Sequence, residues 1–374
     1  MVNWPLLKIG HLEVNLIQGG MGVGISGENL ASTIAENGGA GIIASVGLGL
    51  LKGYFDNEFE AAKKRGDFNG LTGVEKRELQ NKIYANTNSD ALADEIRKAR
   101  RKTNGVIGVN IMYALTDYPS LVKTSVKENV DLIICGAGIV RDLPKHLEWK
   151  KTMIAQIVSS ARAADIIVKS WTQLGHPPDA IVVEGPKAGG HLGYSLEQLE
   201  DSEFVSHGLE SIISEVINLV GSKIPVIAAG GIYTGKDIYD ILKYGAAGVQ
   251  MATRFVTTKE CDADPKFKQA YIDSKKEDIV IITSPVGMPG RAIKNKFLEA
   301  VATQRVPFQC YYDCLKSCNP FSSPYCIADA LINAQKGNIE EGFAFAGTNA
   351  YRADKIVSVR DVFDLLEREF SNAS

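Results

Sequence analysis

The sequence predicts an α/β protein, a (β/α)8 TIM barrel with a helical insertion after strand 2 and a C-terminal extension forming a smaller lid-like region. Three observations carry this expectation. Eight short apolar runs recur before residue 256, at 16–18, 42–45, 106–112, 132–135, 153–158, 180–183, 225–229 and 247–251. Runs so short and so uniformly apolar suit parallel strands that are buried on both faces. Helical sequence alternates with them, without a long antiparallel interruption. The count of eight then favours a closed barrel over an open doubly wound sheet, and a barrel sends every strand's C-terminal end to one mouth.

Taken in order, the strand at 16–18 runs into Gly19-Gly20-Met21-Gly22-Val23-Gly24 and then an amphipathic helix at 29–37, which Gly38 and Gly39 close. These glycines do not have the dinucleotide-binding spacing, and no acidic residue closes the second strand, so a Rossmann domain is not predicted. Residues 48–104 are rich in Lys, Arg, Glu and Asn and read as the helical insertion, with the basic run 95–102 as a solvated helix face. Further helices are expected at 161–174, 208–220 and 235–244. Beyond the barrel (1–256), the extension (257–374) is expected to pack on it, with helices at 264–274, 295–302 and 358–370. A strand is expected at 279–282, and 285–291 reads as a loop of turn residues.

Composition narrows the function. The net charge is −3 with no basic block, which argues against nucleic acid as a partner. No apolar run approaches the roughly 20 residues that cross a bilayer. Met1 to Pro5 begins no basic region followed by an apolar one, so a cytoplasmic enzyme is expected and a homodimer is compatible with the sequence. The six cysteines are then expected as reduced thiols or ligands. Four of them, Cys310, Cys314, Cys318 and Cys326, are clustered, and spacings of four would put the first three on one face of a helix. Zinc or an iron–sulfur cluster is one reading, although the spacing is that of neither a ferredoxin nor a zinc ribbon. Thiols packed as small apolar groups are the favoured one.

The mouth of the barrel gathers the chemistry. The sixth strand ends in Glu184, Gly189, Gly190 and His191, where glycines admit a ligand to the backbone and a histidine can exchange a proton near neutral pH. Gly230 and Gly231 end the seventh strand and Gln250, Met251, Ala252 and Thr253 end the eighth, the two places where barrels commonly bind phosphate. Gly20, Met21 and Gly22 follow the first strand and Asn110 lies near the end of the third. The amides of Asn110 and Gln250 both donate and accept, which suits the edge of a heterocycle. A flat phosphorylated cofactor, FMN, fits this set better than a metal does.

These same residues resemble a known family. Gln18-Gly19-Gly20-Met21-Gly22, Gly108 to Met112, Glu184-Gly185-Pro186-Lys187-Ala188-Gly189-Gly190-His191, Ala228 to Ile232 and Gly248 to Phe255 are similar, in the same order, to motifs of the nitronate monooxygenases, formerly 2-nitropropane dioxygenases, and of the FMN-dependent enoyl-ACP reductases. The resemblance implies FMN contacts from Gly20, Met21, Asn110, Gly189, Gly231 and Gln250 to Thr253, and a His191 that acts on substrate beside the flavin. Glu184 stands where many members carry Gln, and Ala252 where Gly is usual; the first departure leans toward the reductases. The implied reaction is oxidation of a nitronate with O2 to a carbonyl compound and nitrite. The alternatives are an NAD(P)H-dependent enoyl-ACP reductase, an NAD(P)H:quinone reductase, or a flavin-binding sensor or scaffold without turnover. Length and tail depart from the compact reductases, which favours the monooxygenase. The segment 342–352 resembles the end of these chains, and Asn349 or Tyr351 is expected to reach the pocket.

Overall fold

The computed structural model describes residues 5–147 and 151–374; Met1 to Trp4, part of the N-terminal reading above, lie outside the described residues. The chain opens with a hairpin of β1 (Leu7–Ile9) and β2 (Leu12–Val14). The barrel strands follow as β3 (Ile17–Gln18), β4 (Gly41–Ala44), β5 (Ile107–Met112), β6 (Leu132–Gly136), β7 (Met153–Val158) and β8 (Ala180–Glu184). After the short strand β9 (Gly190–His191), β10 (Val226–Ala229) and β11 (Gly248–Met251) complete the eight. All eight pair in parallel in chain order, and β11 returns to β3. The remaining seam between β3 and β4 is closed by a parallel bridge, Ile17 to Ala40, in which Ala40 N donates to Leu16 O at 2.8 Å and Gln18 N to Ala40 O at 3.0 Å. The barrel expected from the strand count is present.

Alternation along the strands builds two cores. Ile42, Leu132, Ile134, Val182 and Ile227 fill the interior, whereas Ile43, Ile133, Ile181 and Val183 pack outward under the helices. The hairpin plugs the interior from the N-terminal end: Leu7, Ile9, Leu12 and Val14 belong to the same core, and a Cβ on Gly248 would come within 2.9 Å of Leu7. The sequence reading had no element at 7–14.

Outside the strands, α1 (Glu28–Glu36) is followed by α2 (Leu48–Leu51), α3 (Tyr54–Arg65) and the 30-residue α4 (Gly73–Lys102). The last turns of α4 pack on α1 and β5, so this helix also serves as the barrel helix before β5. Its basic face is paired: Arg97, Arg100 and Lys102 meet Glu128, Asp131 and Glu28. One expected helix differs. Between β6 and β7 the described residues hold only the 3-10 turn Leu143–His146, where Pro144 sits at the start of the turn and Ala137 and Gly138 have positive φ.

The extension contributes two things. β12 (Ile279–Thr283) and β13 (Pro289–Ile293) form an antiparallel pair to which β9 adds as a third strand. Residues 289–291, read from sequence as loop, are therefore strand. The helix Val359–Ala373 then packs on the helix Gly235–Lys243 and on α1, taking the place of the barrel's last helix. The contact is close: Gly235 N donates to Glu369 at 2.8 Å, and a Cβ on Gly235 would lie 2.0 Å from Leu366 O. No helix among the described residues is long and apolar enough to cross a membrane.

Candidate active site

The C-terminal strand ends open into a cavity of about 310 Å3. Gly20, Met21, Gly22, Asn110, Glu184, Gly189, Gly190, His191, Gly230, Gly231, Gln250, Met251, Ala252 and Thr253 all line it. The cradle depends on missing side chains. Gly230 and Gly231 have φ of +92° and +86°, a region where only glycine is unstrained, and a Cβ on Gly20 would sit 2.3 Å from Asn110 Cβ. Gln250 brings an amide whose Oε1 is buried and has no hydrogen-bond partner among the described residues. A buried acceptor left open at a cavity wall is what a ligand carrying an N–H would complete. Neutral donors and a glycine-walled end fit a flavin phosphate, and the orphaned amide oxygen fits an N–H of a flavin ring.

The loop that carries His191 is clamped from the extension. The Arg291 guanidinium, 4% exposed, donates through Nη1 to Pro186 O at 2.7 Å and Ala188 O at 2.5 Å. Burial without a carboxylate pushes its pKa down to about 10. Tyr194 Oη donates to Glu184 O at 2.6 Å, and the β9–β13 pairing sets Gly290 opposite His191. Arg291 and its strand escaped the sequence reading because Pro289-Gly290 reads as a turn, and β9, the strand that ties it to the His191 loop, is two residues long.

Two ionisable groups face the cavity in unusual states. Burial raises the Glu184 carboxyl to about 7, and no side chain among the described residues bonds to it. Burial lowers the His191 imidazole to about 4, so it is neutral at physiological pH. Its Nε2 lies 2.8 Å from Ser284 Oγ, on a serine only 2% exposed. Val286 N donates to that same oxygen at 3.4 Å, and the serine hydroxyl proton is available for Nε2. In that tautomer the ring proton is on Nδ1, which has no partner among the described residues. Phe345 packs 5.0 Å from the imidazole centroid.

The segment 342–352 returns to the mouth as expected. Gly347 N donates to Thr253 Oγ1 at 3.0 Å and Asn349 Nδ2 to Gly231 O at 2.7 Å. Asn349 lines the cavity and Tyr351 does not. The clustered cysteines are not on a helix face: residues 302–326 are irregular, between the helices Lys296–Val301 and Ile327–Gln335. Pro307 and Pro320 bound the stretch that holds the first three cysteines. Among the described residues no three His, Cys, Asp or Glu side chains are placed to hold a metal ion. Cys314 lines the cavity, and burial raises its thiol pKa well above the ordinary range.

A barrel whose mouth joins a glycine cradle, two amide side chains and a histidine suits a flavin-dependent oxidoreductase, and comparison with known proteins agrees. The nitronate monooxygenase family model matches residues 3–369. The chain belongs to the nitronate monooxygenase family, and it is an FMN-dependent oxidoreductase. It is 28% identical over 303 residues to a probable nitronate monooxygenase of Staphylococcus haemolyticus, covering 80% of each chain. It is 27% identical over 295 residues to the (3aS,4S,5R,7aS)-5-hydroxy-7a-methyl-1-oxo-octahydro-1H-indene-4-carboxyl-CoA dehydrogenase of Mycobacterium tuberculosis, covering 79% of this chain and 67% of that protein. In fold it is similar to FabK from Thermotoga maritima, with a TM-score of 0.71, 24% identity and coverage of 96% and 94%. A nitroalkane oxidase from Streptomyces ansochromogenes gives 0.70, 20% identity and 96% of both chains.

Proposed function

We propose that the protein oxidises nitronates with O2 to carbonyl compounds and nitrite, and that the residues lining the cavity hold FMN. Gly230, Gly231 and Thr253 would hold the phosphate; Asn110 and Gln250 would meet the ring edge. Bound FMN supplies the electron acceptance, and O2 is the final oxidant. The observation that carries the reading is His191. A nitronate has already lost its α-proton and needs no strong base, and an imidazole held near 4 is a weak one. What the ring offers instead is an Nδ1–H donor to a nitro oxygen, oriented by Ser284. Arg291 positions the loop that presents it.

A second reading rests on Glu184. A carboxyl held near 7 beside the flavin site is a proton donor matched to neutral pH, which suits an NAD(P)H-dependent reductase of an enoyl thioester or quinone. Anaerobic stopped-flow reduction of the bound flavin separates the two. Rapid bleaching by ethylnitronate with none by NADH or NADPH supports nitronate oxidation; the opposite pattern refutes it.

A further inference from the structure

The cavity has two chemically different ends. One is the glycine and amide cradle at Gly231, Thr253 and Asn349. The other is walled from outside the eight strands: Leu50 and Tyr84 come from the insertion, Leu315 from the cysteine-rich segment, and Leu331 and Phe343 from the extension. Aromatic contacts lead from the reacting end into it, His191 to Phe345 at 5.0 Å and Phe345 to Phe343 at 5.0 Å. Among the described residues no lysine or arginine lines the cavity.

This wall is a built structure. Tyr312 stacks on Tyr84 with centroids 4.6 Å apart and planes 4° from parallel. Arg77 on α4 donates to Cys310 O at 2.6 Å and pairs with Asp313 at 2.5 Å, while Asn81 bonds Asp313 twice, at 2.7 and 2.8 Å. On the other side, Thr116 N donates to Cys314 O at 3.2 Å and Lys316 N to Ala114 O at 2.9 Å. The cysteine-rich segment is thus a strap tied at both edges, with Leu315 turned to the cavity.

We infer that this apolar end takes the hydrocarbon part of the substrate. The enzyme then selects molecules whose reacting carbon bears an alkyl or aryl group over those of equal length that end in a carboxylate, and Leu315, Leu331 and Phe343 determine that choice. An apolar group gains from leaving water there, whereas a carboxylate would lose its hydration and meet no cation. The inference rests on the proposed function only in taking His191 as the mark of the reacting end.

The test reads binding, so it does not depend on turnover. The flavin-loaded protein is titrated with neutral 1-nitroalkanes, from nitroethane to 1-nitrohexane, and with 3-nitropropionate, following the flavin absorbance. The expected result is a Kd that tightens about fourfold per added methylene, with 3-nitropropionate on the order of a hundredfold weaker than 1-nitrobutane. Leu331→Arg should reverse the preference for 1-nitrobutane. If that variant retains no flavin, Leu315→Ser serves in its place and should flatten the chain-length dependence. Affinity independent of chain length, equal binding of 3-nitropropionate, or no measurable binding of 1-nitrohexane overturns the inference. A steep chain-length dependence in a protein whose flavin nitronates fail to reduce would leave it standing and refute the proposed reaction alone.

Discussion

His191 and Ser284 stand 93 residues apart and share one hydrogen bond, which occupies Nε2 and leaves Nδ1 without a partner among the described residues. Ser284→Ala should therefore retain FMN yet lower kcat by about tenfold, the scale of one lost charge-orienting hydrogen bond, and by less than His191→Ala does. Loss of FMN with unchanged kcat in the reconstituted variant would count against the role. Glu184 gives a prediction with a definite sign. Its folded pKa of about 7 lies above the ordinary 4.5, so the folded state holds a proton that the unfolded chain releases between those values. Folding is opposed progressively as pH rises from about 4.5 to 7. Glu184→Gln removes that penalty, so thermal unfolding of flavin-free protein should show no gain at pH 4.5. At pH 8 the gain should reach up to roughly 3 kcal/mol. In turnover no inflection from His191 is expected between pH 5 and 8, because its folded pKa lies near 4. In thermal unfolding its burial penalty fades as pH rises from about 4 to the ordinary 6.5, and is common to wild type and Glu184→Gln.

Elements here are often completed by residues far away in sequence. α1 has Gly27 before it and no capping side chain of its own. Asp262 instead accepts from Gly27 N at 2.8 Å, from Leu30 N and Asn29 N at 3.1 Å each, and from Asn29 Nδ2 at 2.9 Å. Glu95, paired with Lys52, accepts from Glu28 N at 3.0 Å. Asp262→Ala should cost about 2–3 kcal/mol in chemical denaturation, since it orphans a helix N-terminus, and Asp262 itself does not line the cavity. A cost below about 0.5 kcal/mol would mean water replaces it. This distance dependence decides what the sequence discloses. The eight strands are legible because burial on both faces makes each a short apolar run, and the cavity glycines because they follow those runs directly. β9 is not legible, as two residues become a strand only through β13. The hairpin Leu7-Lys8-Ile9 and Leu12-Glu13-Val14 does alternate around Gly10-His11, so its signal was there to be read. The spacing of the cysteines implies a shared face only where a helix exists, and residues 302–326 form none.

At the scale of the whole molecule, the barrel is a plugged cylinder with the site at the opposite end. Leu7 is fully buried in the interior core that continues up the strands. Leu7→Ala should destabilise by about 2–5 kcal/mol, with the flavin's bound spectrum unchanged in the protein that remains folded. A perturbed flavin spectrum would mean the plug and the mouth communicate.

The strand β13, which pairs with the strand of His191, and the helix that closes the ring both come from beyond residue 256. On the ribosome, then, every barrel strand has emerged while the outer ring still lacks its last helix and the histidine its supporting sheet. Long-range pairing of this kind is slow to form. The nascent barrel must wait, with an apolar flank and an unfinished mouth, for more than a hundred further residues. Those same residues wall the pocket, so substrate selection and the final step of assembly belong to one late piece of chain.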